Sequence, residues 1–340
     1  MCRSGLLLLL LVLLRPAQLC AQKTDTIHLF NGDKIVGEVK DLKLGLLRVK
    51  TDYMATVYIE WDQVQTVLTD KRWYIRMRSG AYFDGHLHPS SQLDHVYIVR
   101  DGDSVHVNLI DITTLYRLNQ GIWPRTDGSI NAGYSYQKSN GLSQFTLSGN
   151  AIYRGDLSAV NLTFNSITTV QPEVPDNRKQ DITLGYEHNL WGRWTSGFGI
   201  GAESNTELDL DLRLRANATL GNYVLLNVHA SNIIGGGIQG NLEQSGSGEA
   251  SENFEVFLGD RFRFKTYRFP KAEVTIDLAG YYGLTIRDRW RFATTTAVRY
   301  EVLRDVQLGL EFYDQFDSKP LDGGPSLNDY RIATTIGYVF

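Results

Sequence analysis

Cysteine is almost missing from this chain, and the position of the two present decides what their scarcity means. Cys2 and Cys20 both lie in the first 21 residues. That stretch reads as a secretory leader, with Arg3 as its charged start, an apolar run from Leu6 to Leu14 and a small-residue cleavage region ending Leu19-Cys20-Ala21. Cleavage after Ala21 is expected, since the bulky Leu19 argues against a lipidated Cys20. The mature chain then holds no disulfide and no thiolate metal site.

Long apolar runs are also missing beyond the leader. No later stretch approaches 18 consecutive apolar residues, so no transmembrane helix is expected, and a closed β-barrel is the remaining way to span a bilayer. Proline is scarce, at 8 residues, against 18 Tyr and 32 Gly, a balance that favours strands over helices. Positive charge is not in excess either. Loss of Arg3 and Arg15 with the leader takes the formal charge from -4 to -6, which gives no electrostatic case for nucleic acid.

What is present begins with a repeat. Between residues 25 and 118, Ile27, Leu29, Gly32 and Gly37 recur 48 positions later as Ile75, Met77, Gly80 and Gly85. The run Val57, Ile59, Trp61, Val64, Thr66 and Val67 recurs as Val105, Val107, Leu109, Ile112, Thr114 and Leu115. A gap-free offset over so many apolar and glycine positions predicts two similar units, 22–71 and 72–122. Each reads as short alternating strands, with turns at Asn31-Gly32-Asp33 and Arg78-Ser79-Gly80. A unit of this size resembles a small SH3-like or Sm-like barrel, a likeness of fold that implies no activity. His86, His88, His95 and His106 fall here; His86 and His88 share a strand face with no Cys or obvious carboxylate partner, and the four are expected to be exposed strand residues with no metal.

From residue 128 to 340 the segments lengthen and alternate strictly. Tyr330, Ile332, Thr334, Ile336, Tyr338 and Phe340 share one face of the last segment, and Asp329, Arg331, Ala333, Thr335 and Gly337 the other. Twelve such segments can be counted, which predicts a 12-stranded antiparallel transmembrane barrel with its apolar face toward lipid. The expected location is therefore an outer membrane, with the repeats on its periplasmic side. Short connections such as Trp191-Gly192-Arg193 would then be periplasmic, and the longer ones at 171–179, 245–251 and 317–326 extracellular. Two places resist this reading. The connection at 222–231 is poorly defined, and alternation turns Asp260 toward lipid, which a bulge would relieve.

The run Leu29-Phe30-Asn31-Gly32-Asp33-Lys34-Ile35-Val36-Gly37-Glu38-Val39, with Ile59-Glu60-Trp61-Asp62, resembles the entry module of YdiY-like outer-membrane proteins. The closing stretches 313–320, 328–330 and 334–340 are similar to that family's terminal strands. The resemblance implies the barrel and its location. It describes a salt-induced family of otherwise unknown function, and carries no catalytic residues. The second turn, Arg78-Ser79-Gly80, departs from the motif.

The expected interior face collects Asp209, Asp211, Glu255, Glu273, Asp277, Glu301 and Glu311 with Arg213, Arg215, Arg261, Arg263, Arg289, Arg291, Arg299 and Arg331. Opposite charges on neighbouring strands would pair and fill the lumen, so the expected role is structural or a narrow pore, with no reaction and no cofactor. Two other readings stay open. The repeats could bind a periplasmic partner or the cell wall while the barrel serves as anchor. A lipid hydrolase would need His188 and Ser196 to meet across adjacent strands, and no third group for them is evident. Tyr338 and Phe340 are expected to signal to the β-barrel assembly machinery, and outer-membrane lipid is the other expected partner.

Overall fold

The computed structural model describes residues 25–118, 121–122, 125–139, 141–172, 174–206, 210–245, 250–319 and 327–338. The leader, Asp209 and Phe340 lie outside these residues. Among them the chain is all-β apart from two single-turn 3-10 helices.

The first unit runs β1 (Asp25–Leu29), β2 (Lys34–Lys43), β3 (Leu46–Lys50), β4 (Thr56–Glu60) and β5 (Val64–Leu68). The second runs β6 (Trp73–Met77), β7 (Tyr82–Pro89), β8 (His95–Arg100), β9 (Asp103–Asn108) and β10 (Ile112–Arg117). Strands β1 and β6 start 48 residues apart, as do β5 and β10 and the 3-10 turns Trp61–Gln63 and Leu109–Asp111. Pairing repeats as well: β1 pairs with β2 and β5, and β6 with β7 and β10.

The halves are not two independent barrels. Leu115 and Tyr116 of β10 pair with Leu42 and Asp41 of β2, so the order β4-β3-β2-β10-β6-β7-β8-β9 runs through both. One core serves them together, with Ile27, Val39, Leu42 and Leu47 packed among Ile75, Leu87, Ile112 and Leu115. Trp61 Nε1 donates to the carbonyl of Leu109, its own counterpart one repeat on, at 2.7 Å. Five short strands bury too little apolar surface alone, and sharing a core supplies the rest.

Twelve longer strands follow. They are β11 (Thr126–Gln137), β12 (Leu142–Arg154), β13 (Ser158–Gln171), β14 (Val174–Asn189), β15 (Trp194–Asn205) and β16 (Leu210–Leu226). Then come β17 (Ala230–Ser245), β18 (Ala250–Thr266), β19 (Ala272–Gly283), β20 (Trp290–Leu303), β21 (Val306–Asp317) and β22 (Leu327–Tyr338). Each pairs antiparallel with the next in one sheet.

Three expectations are revised. Among the described residues no ladder joins β11 to β22, so the sheet has two edges where a closed barrel was expected. The 171–179 connection is short, because β14 already begins at Val174. Asp260 is relieved by no bulge: its pairing with Ile234 and Leu278 is in register, and Asn232 Nδ2 donates to it at 2.5 Å from the neighbouring strand.

Candidate functional site

Register separates the sheet into two chemical faces. On one, Leu184, Ile200, Leu214, Ile238, Leu258, Leu310 and Ile336 stand exposed, the last at 80%. Their neighbours along each strand point the other way and, Phe257 apart, are small, amide-bearing or charged. The sheet coils toward this polar face, where residues from β13 to β21 together line one cavity of about 600 Å³. Coiling depends on glycine at Gly235, where an added Cβ would meet the Leu220 carbonyl oxygen at 2.7 Å, and at Gly237, where it would strike that of Ala218.

Most of the sequence-predicted charges gather on this face in two bands. Toward the long connections, Arg213 bonds Glu243 at 2.8 Å and approaches Glu203 at 3.4 Å, with Arg215 3.9 Å from Glu203. In the same band Arg291 clasps the buried Glu255 through Nε at 2.8 Å, and Arg289 bonds Asp317 at 3.0 Å. Toward the short turns, Arg261 and Arg263 converge on Asp277 at 2.9 and 2.7 Å. Lys265 bonds Glu273 at 3.2 Å, Arg299 lies 3.8 Å from Glu273 and 4.0 Å from Glu311, and Glu301 takes Lys271 at 3.5 Å. Asp211 falls at a register shift between Leu210 and Leu212, and Arg331 stands on the edge strand β22. The acids Glu203, Glu243 and Asp317 escaped the sequence reading, although the same parity would have found them.

Between the bands the wall is nearly free of charge. Gly199, Asn217, Thr219 and Gly235 face the cavity, with Phe257 and Tyr281 side by side at 5.6 Å.

The short-turn end of this cavity is covered by the N-terminal unit, which grips four consecutive hairpins. At the β12–β13 end, Arg154 lies over the Tyr116 ring at 5.3 Å. The β14–β15 turn sends Arg193 Nη2 to the Arg78 carbonyl at 2.8 Å, and Gly80 sits so close to Gly192 and Arg193 that no Cβ fits. From the β16–β17 turn, Val228 enters the core of the N-terminal unit. After β18, Tyr267 donates to the Leu44 carbonyl at 3.0 Å, and Arg268 takes Glu60 and Asp62, both at 3.0 Å.

Under this cap lies a second cavity of about 320 Å³, which shares Glu187 and Tyr223 with the first. Its other walls include Lys43, Tyr74, Arg76, Tyr116 and Arg154. The sequence reading missed these residues. The signal was in the repeat itself, since Tyr74, Arg76, Tyr82 and Tyr116 stand where the first unit has Thr26, His28, Lys34 and Leu68.

Other sequence candidates do not assemble into chemistry. His188 and Ser196 do stand opposite each other, on the apolar face, but among the described residues no hydrogen bond joins their side chains. The His188 ring lies 3.5 Å from the Tyr186 hydroxyl instead. His95 and His106 stack at 4.8 Å, and His106 bonds Ser90 at 2.9 Å. Among the described residues no group of three His, Cys, Asp or Glu side chains could hold a metal.

A search of curated proteins finds no match to the chain. The family described as "Protein of unknown function, DUF481" matches residues 130–340, the whole span of the long-stranded sheet from within its first strand. That agrees with the resemblance carried by the terminal strands, and the chain belongs to the DUF481 family, which is that of the YdiY-like proteins.

Proposed function

We propose that the twelve-stranded sheet closes into an outer-membrane barrel whose polar lumen is stoppered at its periplasmic mouth by the N-terminal unit. Its role would then be that of a structural or gated narrow pore in the envelope. One observation carries the reading: strand after strand exposes an apolar face while the opposite face pairs its charges. In water such a sheet would leave its oily face unsatisfied, whereas hydrocarbon satisfies it. The strand count supports closure, because an even number makes β11 and β22 antiparallel. Each is 12 residues long, above the roughly 9 to 11 a tilted spanning strand needs. Their parity agrees too, with Ile130 and Tyr134 on the same side as Ile332 and Ile336.

In this barrel the cap blocks free passage, so the full chain in a planar bilayer should conduct little. Loosening the cap with Arg193→Ala and Arg268→Ala together should raise single-channel conductance. Wide, steady conductance by the unaltered chain would contradict the stoppered lumen.

A further inference from the structure

The cavity beneath the cap carries a charge that its walls do not balance. Arg76 lies in β6, a strand with every residue buried, and is itself only 8% exposed. Among the described residues it forms no ion pair with a carboxylate, and its Nε and Nη2 are covered without a hydrogen-bond partner. The rings of Tyr223 and Tyr82 flank its guanidinium at 4.1 and 5.3 Å. Such contacts offset only part of the cost of burying an unpaired ion.

Lys43 faces the same cavity. Its nearest carboxylate, Asp41 at 3.9 Å, is already held by two nitrogens of Arg48 at 3.2 and 2.6 Å. Arg154, a third cation on the wall, is paired to Asp127 at 2.6 Å. Of the two acids lining the cavity, Asp156 is engaged by Arg125 at 3.0 Å and is largely exposed. That leaves Glu187, reached by the Thr195 hydroxyl at 3.4 Å, against both Lys43 and Arg76. Burial and the nearby Arg154 hold the Lys43 pKa below the usual lysine range, a sign of the same positive field. Burial pushes the Tyr116 hydroxyl up to about 12 and raises Tyr74 as well, so both stay protonated and able to donate.

From this geometry we infer that the cavity under the cap is a binding site for a small free oxyanion, a phosphate or the phosphoryl or carboxylate group of a small solute. Lys43 and the tyrosine hydroxyls would supply the direct donors, and Arg76 the field from behind the wall. The volume admits such an ion with room for a small organic remainder. A lipid headgroup fits poorly, since Glu187 and Tyr223 lie on the polar face of the sheet and offer an acyl chain no apolar wall. The inference needs the docked cap but not a closed barrel, so it can fail independently of the proposed pore.

Inorganic phosphate is the probe, titrated into the full chain in detergent at constant ionic strength and followed by calorimetry and by melting temperature. Saturable binding in the millimolar range or tighter is expected, with a rise in melting temperature that matched chloride does not give. Lys43→Gln, a partly exposed position, should weaken binding about tenfold or more while the cap stays docked. Arg76→Met should abolish it. If Arg76 only pins the cap, its variant will lower the melting temperature but phosphate will have no effect on the parent protein. Absence of phosphate-specific binding by the parent, or unchanged affinity in Lys43→Gln, would overturn the proposal.

Discussion

At the scale of single residues, charge is placed where a partner can hold it, and the few places where it is not are informative. Glu38 shows the first case. Burial works against its charge, yet Lys40 at 2.7 Å, Lys71 at 3.4 Å and Arg117 hold its pKa down at about 2. A carboxyl depressed in the fold adds stability above its unfolded pKa, and that contribution fades as pH falls toward the folded value. Glu38→Gln should therefore cost about 1 to 3 kcal/mol at neutral pH and lose that deficit between about pH 4.5 and 2. Paired denaturant melts at neutral and acid pH measure this, and a deficit unchanged by acid would refute it. Fully buried Asp25 shifts the other way through desolvation, so the difference between variant and parent, not the acid midpoint alone, is the quantity to read. Asp260, on the apolar face, is held by an amide where other acids have a cation. Alternation showed from sequence that it faces outward, but not how: its relief is a side-chain bond from Asn232, and alternation carries no information about such diagonal partners.

At the scale of elements, strands were legible and their attachments were not. The twelve long segments could be counted because hydrophobic alternation is imposed by the pleat itself. Alternation fails over Tyr223, Val224, Leu225 and Leu226, so the connection after Asn222 was hard to place. The structure shows why. Strand β16 runs on to Leu226 through a register shift between Tyr223 and Leu225, and its turn then buries Val228 in the N-terminal core. A local break in alternation therefore marked a docking point. Val228→Asp would place an unpaired charge in that core, at a cost of several kcal/mol. The expected result is undocking, seen as new protease cleavage between residues 118 and 126 while the strands of the sheet stay protected. An unchanged digestion pattern would mean that Val228 does not fasten the cap. The repeat tells the same story, since a gap-free offset of 48 gave the order of elements but could not show that Trp61 and Leu109 meet in one shared core.

At the scale of the whole molecule, hydrophobic alternation separates an apolar face from a charged one, and the structure arranges the latter into two ion-paired bands with a nearly uncharged stretch of wall between. Neither the bands nor the cap over one end could be read from the chain, because both depend on which turns lie at the same end of a coiled sheet. The cap changes the proposed function most, since it sets a second cavity lined by cations and tyrosines at the short-turn end of the polar face. The proposed pore rests on β11 meeting β22 with the oily face in hydrocarbon. Gel migration of the membrane-extracted protein, with and without boiling in dodecyl sulfate, tests that step most directly. A closed barrel predicts a compact, faster-moving species that boiling converts to the slower unfolded one. A single species with or without heat, from a protein recovered in water without detergent, would contradict it.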